Sequence, residues 1–279
     1  MTPDPVLVLG ASGKTGRRVV ERLRTRDVAV RRGSRSGRPP FDWEDPDTWR
    51  PVLDGASAAY VSYFPDLAAP GAPAAVGALA GVATEAGVER LVLLSGRGEE
   101  AAQRSEEALR RSGAAWTIVR ASWFDQNFSE GLLRDSMLAG ELALPVDAVG
   151  EPFVDADDIA DVAVAALTQD GHAGEVYEVT GPRLLTFGQA VEEIARASGR
   201  DLRYTPIDID DFAAALADQF VPADHVDLLR HLFTEVLDGR NAHVTDGVER
   251  ALGRPPRDFG DFARAAAASG AWGVSEMAA

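Results

Sequence analysis

The chain has 279 residues, 44 Asp+Glu against 28 Lys+Arg, a formal charge of −16, four His and no Cys. That length accommodates one large α/β domain, or a domain with an added lobe. The lack of cysteine excludes a disulfide framework, thiolate catalysis and Cys-ligated metal sites, and the acidic balance argues against nucleic acid and anionic membrane surfaces as partners.

In chain order, residues 6–9 form a short apolar run that reads as a buried strand, and 14–25 a helix with Val19, Val20 and Leu23 inward. A second strand is expected over 28–30, a short helix over 45–53, a strand over 58–61 and a helix over 73–86. The next strands fall at 90–94 and 117–119, with helices over 99–112 and 124–138. Short apolar strands alternating with helices of ten or more residues are the signature of βαβ units in a buried parallel sheet. The fold class is therefore α/β, a Rossmann-type doubly wound sheet. Beyond it, 141–145 and 153–154 read as short extended pieces, 155–167 as a helix, 175–179 as a strand, and 186–198 as a helix with Thr186 as N-cap. Helices at 208–217, 224–237 and 245–252 then dominate. The expected division is a nucleotide-binding domain over 1–150, with 153–180 contributing, and a smaller helical substrate lobe over 181–279. The apolar segment 68–88 carries Pro70, Pro73 and Glu85 and reads as a packed helix. With no leader-like stretch at the start, a cytoplasmic protein is expected.

The strongest motif is Val6-Leu-Val-Leu-Gly10-Ala-Ser12-Gly13-Lys14-Thr15-Gly16-Arg17. A strand enters, glycines fall at GxxGxxG spacing, and an amphipathic helix leaves. Gly10 suits the tight turn, Gly13 lets the backbone approach a pyrophosphate, and Gly16 lets the helix pack on the strand. The helix N-terminus then offers free N–H groups to the anion. A triphosphate P-loop is the competing reading of Gly-Lys-Thr, but that motif needs a glycine where this chain has Val8. After the second strand, an NAD site carries an acid for the ribose 2′-hydroxyl. Here Arg31-Arg32-Gly33-Ser34-Arg35-Ser36 follows instead, a set suited to a 2′-phosphate, so NADP(H) is the expected cofactor.

Ser95 ends the strand Leu91-Val-Leu-Leu-Ser95-Gly96-Arg97. Short-chain dehydrogenases place a serine there and pair it with Tyr-x-x-x-Lys. One of the 28 basic residues, Lys14, is a lysine, and none of Tyr60, Tyr63, Tyr177 and Tyr204 has a lysine four residues later. A plain ketone needs its developing alkoxide protonated. The expected acceptor is therefore already electrophilic, an iminium, quinone or enone, unless Ser95, Tyr63 or Asp125 serves as acid. The four histidines show no metal-ligand spacing. The carboxylate runs Asp155-Ala-Asp157-Asp158 and Asp208-Ile-Asp210-Asp211 sit at helix starts and read as caps. Phe64, Trp123, Phe124 and Phe128 are candidates for sandwiching a flat substrate.

Taken together, the glycine turn, Ser34-Arg35-Ser36, Phe41-Asp42-Trp43-x-Asp45-Pro46-x-Thr48-Trp49 and Trp116-Thr-Ile-Val-Arg120-Ala-Ser-Trp-Phe124-Asp-Gln-Asn127-Phe128 resemble NmrA-like proteins. These are an atypical branch of the short-chain dehydrogenases. Within it the chain is similar to the ergot-alkaloid dehydrogenase group (agroclavine dehydrogenase, festuclavine synthase) and its bacterial relatives, as Phe153-Val-Asp155-x-x-Asp158-Ile-Ala and Gly253-Arg-Pro-Pro-Arg257 also suggest. The resemblance spans residues 5 to 265 and implies an NADP(H)-binding Rossmann domain, a C-terminal substrate lobe, and reduction of an iminium or similar acceptor, as in secondary metabolism. By position, it implies that Gly10, Ser12, Gly13, Lys14 and Gly16 hold the pyrophosphate and that Ser34 and Arg35 read the 2′-phosphate. Asp42 and Trp43 would border the adenine, while Ser62, Tyr63, Ser95, Ala121, Ser122 and Trp123 would line the ribose and nicotinamide. The chain departs at Arg120-Ala121, where family members read Arg-Pro. The alternative from the same branch is a non-catalytic NADP(H) sensor that signals to a partner protein.

Overall fold

A computed structural model describes residues 4–273. The strands are β1 (Val6–Leu9), β2 (Val30–Gly33), β3 (Ala58–Val61), β4 (Arg90–Gly96), β5 (Ala115–Ala121), β6 (Glu141–Leu144), β7 (Val176–Val179) and β8 (Arg203–Pro206). The helices are α1 (Lys14–Arg24), α2 (Trp49–Leu53), α3 (Ala72–Glu85), α4 (Glu100–Arg110), α5 (Leu132–Ala139) and α6 (Ala156–Thr168). They continue with α7 (Phe187–Ser198), α8 (Ile209–Asp218), α9 (Ala223–His231), α10 (Gly247–Leu252) and α11 (Phe259–Ala268). The chain folds as two compact units. One comprises residues 4–121, 156–179 and 245–255, the other 122–155, 180–244 and 256–273. The return of the chain to the first unit for α6 and β7 falls within the expected 153–180, while the division departs from expectation in two places: the chain leaves the first unit when β5 ends at Ala121 rather than near 150, and it returns again for α10.

The first unit is built on a six-stranded parallel sheet in the order β2-β1-β3-β4-β5-β7. Leu7, Leu9, Ala59, Val61, Leu91, Leu93 and Ile118 form one core with Val52 and Leu53 of α2, Val76 and Leu79 of α3 and Leu109 of α4. The alternating residues Val8, Tyr60 and Val92 are buried on the opposite face, where α1 and α6 pack. Burial on both faces explains why these strands read as continuous apolar runs. β2 and β3 flank β1 on opposite sides, so the crossovers diverge there and open a crevice at the carboxyl ends of β1 and β3. Asp157 and Asp158 lie in the first turn of α6, as expected of a helix start, and also hold ion pairs: Arg18 Nε reaches Asp157 Oδ1 at 3.1 Å, and Arg254 reaches Asp158 Oδ1 at 2.7 Å.

The second unit pairs β6 with β8 in parallel and gathers Phe128, Phe153, Phe187, Phe212, Phe233, Phe259, Phe262 and Trp272 into one core. Thr186 and Gln189 close a reciprocal capping box on α7, and Asp208 caps α8 by accepting from Asp210 N at 2.7 Å. The expected helix over 124–138 is interrupted. A 3-10 turn at Asp125–Asn127 precedes α5, and Gly131 between them adopts φ +87, which a helix cannot contain.

Candidate cofactor site

At the end of β1, Gly10 adopts φ +69, and the Gly13 N–H closes the turn on the Gly10 carbonyl at 2.9 Å. Gly13 is the residue from which α1 starts. A Cβ at Gly16 would overlap the Gly10 carbonyl, so α1 approaches the turn this closely only with glycine there. Ser12 and Gly13 are exposed at the mouth, beside the N–H groups of the first turn of α1. Ser62, just beyond β3, lies alongside: its Cβ is 3.2 Å from where a Gly10 Cβ would stand. The structure therefore brings Gly10, Ser12, Gly13, Lys14, Gly16 and Ser62 together at the end of β1, beside a helix N-terminus of the kind that binds anions. Thr15 is a correction. Its buried hydroxyl accepts from Tyr60 Oη at 2.8 Å, and burial holds that phenol above its ordinary range. The Thr15 side chain thus ties α1 to β3 and does not face a ligand.

β2 begins two residues later than expected, which places Arg31 and Arg32 inside the strand on opposite faces. Arg31 donates to the carbonyls of Val52 and Asp54, each at 2.7 Å, and so belongs to the scaffold around α2. Arg32 turns the other way and reaches the Ala11 carbonyl of the glycine turn at 3.2 Å. It replaces Arg31 as the guanidinium beside the nucleotide cradle. Ser34 and Arg35 follow β2 and are exposed, and no acid stands at the end of the strand. The segment after them is self-supporting. Trp49 Nε1 donates to the Asp42 carbonyl at 2.7 Å, and Trp43 packs on Phe41, Trp49 and Tyr63 with ring centroids 5.1, 6.0 and 4.7 Å away.

Ser95 does not face the crevice. Its hydroxyl donates to Glu106 Oε1 of α4 at 2.7 Å, beneath the sheet. Arg120, which pairs with Ser95 in the β4–β5 register, binds Glu106 twice, at 2.7 and 2.5 Å, and reaches Glu178 of β7 at 3.1 Å. These bonds hold the Arg120 guanidinium above its ordinary range. Glu106 is fully buried and escaped the sequence reading, although it stands among Ala102, Ser105 and Leu109 on the apolar stripe of α4. Phe64 is 73 % exposed in the first unit.

Residues 122–128 belong to the second unit. The Ser122 hydroxyl is buried with no hydrogen-bond partner among the described residues. Trp123 packs on Phe187 and Phe233 at 5.6 and 5.3 Å, and Phe124 bridges to Val154. Two expectations fail here. Asp125 is fully buried at the start of the 3-10 turn, and Phe128 is fully buried among Phe153, Phe187 and Phe259, so neither presents a surface to a substrate. Among the described residues, no cluster of His, Asp or Glu is arranged to hold a metal ion, and no helix is long and apolar enough to cross a membrane.

The NAD(P)H-binding family pattern matches residues 10–170. The chain is 31% identical to an NAD(P)H azoreductase of Xenophilus azovorans, over 95% of this chain and 98% of that protein. It is 29% identical to agroclavine dehydrogenase of Claviceps fusiformis, over 92% of this chain and 95% of that protein. Among solved structures, a triphenylmethane reductase of Citrobacter sp. superimposes with a TM-score of 0.75 at 18% identity, covering 95% of this chain and 99% of that one. Sheet order and sequence agree, and the chain belongs to the NAD(P)H-binding family.

Proposed function

We propose that the protein is an NADP(H)-dependent reductase that passes hydride to a small electrophilic acceptor of the quinone, iminium or enone type. The β1–α1 turn carries this reading: Gly10, Gly13 and Gly16 clear a backbone cradle at a helix N-terminus, and the Arg32 guanidinium stands beside it. When bound, NADPH supplies a hydride from its nicotinamide ring. Gly13 and the first turn of α1 bind the pyrophosphate, Lys14 adds its charge, and Ser34 with Arg32 and Arg35 takes the 2′-phosphate. The single lysine stands in the glycine turn, so the usual Tyr-x-x-x-Lys donor is absent by count. Acceptors that are electrophilic without an acid are the class this leaves open. Relatives named for azo, clavine and triphenylmethane substrates support that class. The test is a pair of binding titrations and an acceptor panel. NADPH is expected to bind at least ~10-fold more tightly than NADH, one charge-assisted contact being worth about 1.5–3 kcal/mol. Equal or tighter NADH binding, or no turnover of quinones, enones and cyclic iminiums with NADPH, overturns the reading.

A further inference from the structure

Glu99 lies between β4 and α4 at the carboxyl end of the sheet, and it is 7 % exposed. Its carboxyl rests over Gly96, where a Cβ would overlap Glu99 Oε1; the space exists because residue 96 is glycine. Asp66, in the loop after β3, stands close enough to the Glu99 carboxyl for its charge to act on it, and its Oδ1 accepts from Ala68 N at 2.7 Å. A buried carboxyl beside a second acid resists ionisation, because the low dielectric and the like charge both penalise the carboxylate. Glu99 Oε2 is buried with no hydrogen-bond partner among the described residues, an arrangement that asks for a ligand. With the pyrophosphate at the end of β1 and the 2′-phosphate toward β2, a dinucleotide lying across the crevice places its nicotinamide half over the ends of β3 and β4. Asp66 and Glu99 follow those two strands.

We propose that Glu99, seated over Gly96 beside Asp66, is the proton donor of the nicotinamide half of the site, opening the enzyme to acceptors that take a proton with the hydride, quinones above all. This rests on the reductase reading. A quinone becomes a hydroquinone by gaining one hydride, which NADPH supplies as it becomes NADP+, and one proton. The Glu99 O–H bond breaks, its electron pair stays on the carboxylate, the acceptor oxygen gains the proton, and water restores it. Burial and then the charge of Asp66 push the Glu99 carboxyl up to about 8, so it holds its proton at neutral pH. Of the charged neighbours, Arg97 turns its Nε to Glu178 Oε2 at 3.4 Å and Glu100 is exposed.

The experiment compares two acceptors in wild type and Glu99→Gln: a quinone, which needs hydride and proton, and a triarylmethyl cation, which needs hydride alone. The variant is expected to lose ~100-fold in kcat on the quinone, the lower range for an acid catalyst, and to keep its rate on the cation. Wild-type kcat on the quinone is expected to fall as pH passes about 8 and the variant's to be flat. NMR of isotope-labelled Glu carboxyls in the cofactor-free protein is expected to show one group titrating in that range, lost in Glu99→Gln. Two further variants leave Glu99 in place. Asp66→Asn shifts the falling limb to lower pH, and Gly96→Ala displaces the carboxyl and reproduces the quinone defect. An unchanged quinone rate and pH profile in Glu99→Gln, or the absence of that titration, overturns the proposal while cation reduction upholds the reductase. A wild type inert toward both acceptors overturns both.

Discussion

Arg31 and Arg32 are neighbours of identical chemistry, and the period-two alternation of β2 sends one to the carbonyls of Val52 and Asp54 and the other to the glycine turn. Arg32→Ala and Arg35→Ala are each expected to raise the Kd for NADPH ~10-fold and leave NADH unchanged, whereas Arg31→Ala lowers stability and leaves the preference intact. Titration with both cofactors separates the two. Ser95→Ala is expected to keep kcat and to cost about 1–3 kcal/mol of stability in urea denaturation, because Glu106 is fully buried and loses a donor. A large loss of kcat with stability intact would restore Ser95 as a catalytic group. At this scale residue type was legible and direction was not. Placing β2 at 28–30 instead of Val30–Gly33 hides which face each arginine takes, and Ser95 looked available because its partner on α4 is distant in sequence.

Elements were read best where glycine and apolar periodicity agree. The β1–α1 turn needs glycine at 10 for its backbone and at 16 for its packing, so the pattern states its own geometry. Gly16→Ala is therefore expected to push α1 away from Gly10, lowering both stability and NADPH affinity. α11 went unread although Asp258 caps it at 2.8 Å from Gly260 N and Phe259, Phe262 and Ala263 mark its buried face; the alanine run beside them masked the period. β8 offers no such signal: Arg203–Pro206 has no fully buried residue and is held by pairing with β6. Thr186 was legible as a cap, and Thr186→Ala is expected to cost about 1 kcal/mol by thermal or urea denaturation.

At the scale of the whole molecule, the single lysine of the composition removes the usual Tyr-x-x-x-Lys donor, and the acid proposed in its place draws on two loops that the sequence places 33 positions apart. That acid also links stability to pH. The folded Glu99 keeps its proton up to about 8 while the unfolded chain releases it near 4.5, so its contribution is complete below the lower value and is lost as pH rises between them. Wild type is expected to lose stability relative to Glu99→Gln across that window, by on the order of 1.4 kcal/mol per pH unit, in urea denaturation at stepped pH. The most direct measurement is the oxidation of NADPH by the purified protein in the presence of a quinone or a triarylmethyl cation, with NADH run in parallel. Turnover with both acceptors and preference for NADPH is the expected result. NADPH that binds tightly and is oxidised by neither would contradict it, and would mark the protein as a sensor of the cofactor in place of a reductase.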